Sequence, residues 1–148
     1  MRSQTIGLFG LLLAAIISIW TPLSYARADV TYPVNVSVAS DGTPANLPTK
    51  DPAISANGPF VAFESGASNL VPNDTNGILD VFRHDVLTGS TTLVSVSMSG
   101  VSGNGSSEAE FGQSLGTAPE GPAIRADGRY IVFDSFASDL VPNDVRDP

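Results

Sequence analysis

Residues 52–74 and 122–144 spell nearly the same stretch twice, 70 positions apart. PAISANGPFVAFESGASNLVPND in the first copy becomes PAIRADGRYIVFDSFASDLVPND in the second, with 14 identities over 23 aligned positions. Six of the nine differences are near-synonyms, among them Asn57/Asp127, Phe60/Tyr130 and Glu64/Asp134. Duplication at a fixed period restricts a chain to an array of one supersecondary unit. A second correspondence fixes the length of that unit. Val36-Ser37-Val38, then Gly42 and Asn46, recur as Val94-Ser95-Val96, Gly100 and Asn104 at an offset of 58. The 12 residues between the two offsets fall in the polar stretch GSSEAEFGQSLGTAPEG. They read as a surface-loop insertion, since a buried loop would strand its backbone polar groups.

The first 28 residues differ in kind from the rest. Arg2 supplies a positive start, Ile6 to Trp20 is apolar apart from Gly7, Gly10 and Ser18, and Ala26-Arg27-Ala28 is a small-x-small cleavage signature. This pattern predicts a secretory signal peptide cut after Ala28. The 15-residue apolar run is short for a membrane span, which takes about 20 residues. With Arg2 and Arg27 removed, five Lys and Arg remain against 15 Asp and Glu, a net charge of −10. Such a chain lacks the basic footprint that binds nucleic acid or an anionic membrane surface. It has no cysteine, hence neither a disulfide framework nor thiolate ligands. A secreted, periplasmic or extracellular bacterial protein fits both facts.

After residue 28 no segment sustains a helical period, and the repeat breaks into pieces of strand length. Pro52 to Ser55 leads into the turn Ala56-Asn57-Gly58, which in the second copy is Ala126-Asp127-Gly128. Asn-Gly and Asp-Gly mark hairpins because both residues tolerate positive φ. Phe60 to Phe63, matched by Tyr130 to Phe133, reads as a strand buried on both faces. A long Asn/Asp/Gly loop, GASNLVPNDTNGIL, precedes Asp80 to Asp85, and Leu87-Thr88-Gly89 turns into a fourth strand, Thr91 to Ser97. The expected class is therefore all-β, in four-stranded antiparallel units.

The order PAIxA[ND]GxxVxF, DVFRHD, LTG, TTLVSVS resembles the TolB-like, WD40-like (PD40-type) β-propeller repeat of bacterial envelope proteins over residues 34–144. Ala56 and Ala126 stand where that family commonly has Pro, and the SNLVPNDTNG loop is longer than in its commonest blades. The resemblance implies a partial propeller of about one and a half blades with an N-terminal closing strand, Val34 to Ala39. Residues 29–50 are then that strand and a linker, 51–104 a first blade, 105–120 the polar insertion, and 121–148 the truncated first half of a second blade. Propellers close with about four to eight blades. The expectation is a portion of a longer propeller, or a chain that needs further blades or other chains to close.

Three local clusters bear on chemistry. Gly112-Gln113-Ser114-Leu115-Gly116 has the spacing of a nucleophile elbow, but it lies in the polar insertion and the single His of the chain, His84, is upstream rather than downstream. His84, in the run Asp80 to Asp85, reads as a solvent-facing strand residue with no second His or Cys to complete a zinc set. Asp74, Asn76 and Asp80, with Gly77 between them, place oxygen donors at calcium-loop spacing. Pro72 at the first EF-hand position and Arg83 at the twelfth break that motif. Turn-building by Asn73 and Asp74, with Asp80 bonding backbone where its strand begins, is the competing reading. Phe60, Phe63, Tyr130 and Phe133 recur at equivalent positions and read as packing residues.

No catalytic set is legible, and no cofactor other than calcium. The leading expectation is a non-enzymatic envelope or secreted scaffold that binds a protein, peptide or glycan through its loops. The alternatives are the gating propeller of a larger secreted hydrolase, such as a prolyl-oligopeptidase-like peptidase, and a calcium-stabilised surface array. A fold does not choose among them.

Overall fold

The computed structural model describes residues 33–108 and 121–144. The signal-peptide segment and the Gly112–Gly116 motif lie outside the described residues. The described chain is all-β, with no helix. Four strands, β1 (Thr49–Ile54), β2 (Phe60–Ser65), β3 (Asp80–Asp85) and β4 (Ser90–Leu93), form one antiparallel sheet in the order β1-β2-β3-β4. A two-stranded sheet follows, β5 (Ala123–Ile124) with β6 (Ile131–Val132).

Register assigns each face of the larger sheet. Val61 pairs with His84, Phe63 with Phe82 and Ser65 with Asp80, so these side chains share one face. Phe82 and His84 in turn stand opposite Leu93 and Thr91 of β4. Phe63 and Phe82 stack with ring centroids 5.8 Å apart. The β2–β3 loop folds back over them, and Ala67, Leu70 and Val71 close the core with Val61 and Leu93. The other face carries Phe60, Ala62, Glu64, Val81 and Arg83, and β5 lies against β1 and β2. The Arg83 guanidinium covers the Phe60 ring at 5.2 Å and donates to the Gly128 carbonyl at 3.0 Å. β1 carries a bulge between Lys50 and Ala53, where Asp51 takes φ of 49°.

The same contacts occur twice along the chain. Ser55 N–H donates to the Phe60 carbonyl at 2.8 Å, and Arg125 N–H to the Tyr130 carbonyl at 2.9 Å. Val38 bridges Pro44 as Val96 bridges Ser102. Asn46 N–H donates to Asn69 Oδ1 at 2.9 Å, and Asn104 N–H to Asp139 Oδ1 at 3.0 Å. Asn46 and Asn104 also each donate from Nδ2 to a serine, Ser68 and Ser138. Each of these pairs joins residues that correspond at an offset of 58 or 70.

Four details depart from the sequence reading. β4 ends at Leu93, short of Ser97, because the buried Ser95 hydroxyl takes the Val81 N–H at 3.1 Å and so stands in for the next ladder bond. Val34 to Ala39 forms an isolated bridge rather than a strand, since Ala39 N–H turns back onto the Thr43 carbonyl at 2.8 Å. Between the bonded pairs Ser55–Phe60 and Arg125–Tyr130 the hairpin loops run four residues, and of Asn57-Gly58 and Asp127-Gly128 only the glycines take positive φ, 90° and 70°. Loops of that length are most often built around a type I turn. Among the recurring aromatics, Phe63 is buried, Phe133 is half-buried and Tyr130 is exposed under the Arg125 guanidinium.

Gly128 is doubly constrained. Its φ of 70° disfavours any side chain, and a Cβ built on it runs into the Phe60 ring. Gly128→Ala is expected to detach the β5–β6 hairpin from the larger sheet. Hydrogen exchange at the Arg125 amide should then accelerate about tenfold or more, which corresponds to a loss of ~1.4 kcal/mol or more. Unchanged protection there would contradict the packing described.

Candidate functional site

The β2–β3 loop ends on a strip of backbone from residues 100–107, and paired bonds hold the two together. Ser102 N–H donates to the Asn73 carbonyl and Ser107 N–H to the Leu79 carbonyl, at 2.9 and 2.7 Å. Asn73 Nδ2 reaches the Gly100 carbonyl at 3.1 Å, and Thr75 N–H reaches the Ser102 hydroxyl at 2.9 Å. Asn76 is held at both ends of its amide: Nδ2 donates to the Gly103 carbonyl at 2.8 Å and Oδ1 accepts the Ile78 N–H at 2.9 Å. Gly77, with φ of 66°, lets the chain turn between them.

Asp74 and Asp80 lie beneath this clamped loop, 7% and 0% exposed. The Ser95 hydroxyl donates to Asp80 Oδ1. Asp80 Oδ2 and both oxygens of Asp74 are buried without a hydrogen-bond partner among the described residues. Burial is the main cause raising the pKa of both groups, and Asp80 is pushed up to about 6. The Asp74 charge adds to the rise at Asp80, so the two carboxylates sense one another. The Asn76 N–H and the Ser102 hydroxyl work in the opposite direction on Asp74 without reaching hydrogen-bond alignment.

All three residues marked by the calcium-loop spacing therefore meet at one place, and of the three Asn76 alone builds a side-chain turn. The side-chain turn belongs to Asn76, Asn73 bonds across to residue 100, and Asp80 bonds the Ser95 hydroxyl rather than backbone. Among the described residues, no three of His, Cys, Asp and Glu converge as a metal-ligand set. Any cation here would be held by two carboxylates supplemented by amide, hydroxyl or water oxygen, which suits hard cations.

His84 corrects the expectation of a solvent-facing side chain. It is 4% exposed on the core face, with Nδ1 at 2.9 Å from the Thr91 hydroxyl. That hydroxyl donates its proton to the Val38 carbonyl, so only lone pairs remain for the imidazole and Nδ1 carries the ring proton. Burial lowers the His84 pKa, opposed by Asp85. His84 is thus a neutral packing residue that ties β3 and β4 to the preceding segment.

A second polar cluster escaped sequence reading. Lys50 Nζ lies 3.3 Å from Glu64, 3.1 Å from Glu108 and 3.8 Å from Asp51. Glu64 is 1% exposed, so this ion pair sits at the edge of the buried face. Burial works against the Lys50 charge, but Glu108 and Glu64 outweigh it and hold its pKa above the ordinary value. Lys50 and Glu108 border a shallow cleft of about 400 Å³ with Leu47, Pro48, Gly66 and Leu79. Lys50 and Glu108 stand 58 positions apart, and a repeat offset relates equivalent positions rather than contacting ones, so no local pattern announces the pair. Among the described residues, no helix is long and apolar enough to cross a membrane. Comparison with protein-family models, curated proteins and solved structures finds no match to this chain.

Proposed function

We propose that the chain is part of a TolB-like β-propeller array, exported from the bacterial cytoplasm, that acts as a non-enzymatic binding scaffold. The observation that carries this reading is the twice-made contact set: each unit's terminal hairpin clasps the β2–β3 loop of the next through Asn46 with Asn69, and Asn104 with Asp139. A meander of four strands with its own β2–β3 loop, Val36 and Ala45 on one face and the β5–β6 hairpin against the other supports reading it as one blade in a series. Propeller loops gather at the ends of the blades, where partners reach them. Here the exposed Met98 and Val141 belong to loops joined by the bond from Met98 N–H to the Asp139 carbonyl, 3.1 Å.

Expression with the native N-terminus tests the reading, with a photo-crosslinking residue in place of Met98. The mature protein should begin at Asp29 in the periplasm or medium. It should give a discrete adduct with a protein, peptide or glycan of the envelope, and Val141→Asp should abolish that adduct. Retention of residues 1–28 in the cytoplasm would defeat the export assignment. Turnover of peptide or glycoside substrates by the purified chain would defeat the non-enzymatic one.

A further inference from the structure

We infer that Asp74 and Asp80 form a calcium site that fastens the β2–β3 loop to the strip of residues 100–107. Beyond their shared place in the sequence, the two carboxylates have an unusual environment. Both are more than nine-tenths buried, and three of their four oxygens, Asp74 Oδ1, Asp74 Oδ2 and Asp80 Oδ2, have no hydrogen-bond partner among the described residues. Buried charges are ordinarily paired or bound to metal, because an uncompensated carboxylate forfeits its hydration with nothing in return. Among the described residues, neither Asp74 nor Asp80 forms an ion pair with Lys or Arg, which leaves a bound cation as the compensating charge.

The surroundings match a hard cation of low charge density. Three anionic oxygens are supplied by residues on two different elements, the loop at Asp74 and the start of β3 at Asp80. The Asn76 backbone N–H and the Ser102 hydroxyl lie beside Asp74, the Asn76 side-chain amide lies beside Asp80, and the Ser95 hydroxyl fixes the orientation of Asp80. Calcium accepts six to eight oxygens in irregular arrangement and fills out its shell with water, whereas magnesium demands a strict octahedron and sheds water reluctantly. A site with only two carboxylates falls in the weak range of extracellular modules, ~10⁻⁴–10⁻³ M. The inference is independent of what the scaffold binds, since it concerns how one loop is held.

The test is thermal unfolding of the purified chain in EDTA and in ~5 mM CaCl2, the latter in excess of the expected affinity. Calcium should raise Tm by ~5 °C or more, and MgCl2 at the same concentration should do much less. Terbium should bind and be displaced by calcium, as read from the directly excited luminescence of the ion. Asp74→Asn and Asp80→Asn, which keep shape but remove charge, should each abolish the calcium-dependent rise. Both should unfold in EDTA no earlier than the parent, which separates loss of a ligand from loss of the fold. An unchanged Tm in calcium would overturn the site, as would a calcium response that survives both substitutions. An equal response to magnesium would overturn its assignment to calcium.

Discussion

Phe82→Ala is expected to lower stability by ~3–5 kcal/mol, the range for emptying a buried aromatic site. A domain of this size is stable by only ~5–15 kcal/mol, so the variant should lose a large part of its cooperative transition. Phe82 is fully buried, stands opposite Phe63 and Leu93 in adjacent strands, and stacks on the Phe63 ring. Removing it leaves a void bounded by a β-sheet on one side and the 66–79 loop on the other. The sheet cannot collapse into that void without breaking the register on both sides of β3, so the larger end of the range applies. Phe82→Leu retains much of the volume and should cost clearly less. Tyr130→Ala is the control. Tyr130 is 58% exposed, and its contact with Arg125 is worth only ~0.5–1 kcal/mol at such a site. Urea unfolding followed by far-UV circular dichroism should rank the three variants in that order. A Phe82→Ala loss no greater than that of Tyr130→Ala would mean that the described core is not where stability resides.

The contrast between Phe82 and Tyr130 also shows what the sequence conveys and what it withholds. Strand class, strand order within one repeat and the turn positions all follow from local pattern, because apolar runs and Asn-Gly or Asp-Gly pairs act over a few residues. Where a strand stops depends on tertiary partners. Thr91 to Ser97 alternates like an uninterrupted strand, yet Ser95 is buried and its hydroxyl serves Asp80 and Val81, which ends the ladder. A serine at an alternating position looks solvent-facing in sequence, and nothing local distinguishes it. His84 misleads for the same reason, since its neutral state and its hydroxyl partner depend on Thr91 in another strand. At the candidate site the spacing of Asp74, Asn76 and Asp80 was legible. The burial of both carboxylates and the contributions of Ser95 and Ser102 were not, because they come from residues 15 to 28 positions away.

Asp80 makes stability in EDTA depend on pH in the direction opposite to ordinary acid denaturation. Its pKa is about 6 in the folded chain against 3.8 in the unfolded one. Between those values the folded state keeps the proton while the unfolded state has released it, so stability falls as pH rises through this window. Above about pH 6 the loss is complete. A shift of about two units corresponds to ~3 kcal/mol, an order-of-magnitude figure that is large against the total. His84 acts the other way: its lowered pKa means that stability falls as pH drops below its unfolded value of 6.5. The parent chain alone would therefore blur the two effects, and comparison with Asp80→Asn separates them. The asparagine can still accept the Ser95 hydroxyl at Oδ1 but has no charge to desolvate. Measured in EDTA, the variant should match the parent near pH 4 and exceed it by up to ~3 kcal/mol at pH 7.5. The difference should develop around pH 5 to 6, as the Asp80 carboxyl ionises. Calcium in place of EDTA should reduce or reverse that advantage, because the ion offsets in the parent the charge that the variant lacks. Parallel stability curves for the two proteins from pH 4 to 7.5 would show that Asp80 ionises without penalty, and the reading of Asp80 as a buried carboxylate with an unsatisfied oxygen would have to be abandoned.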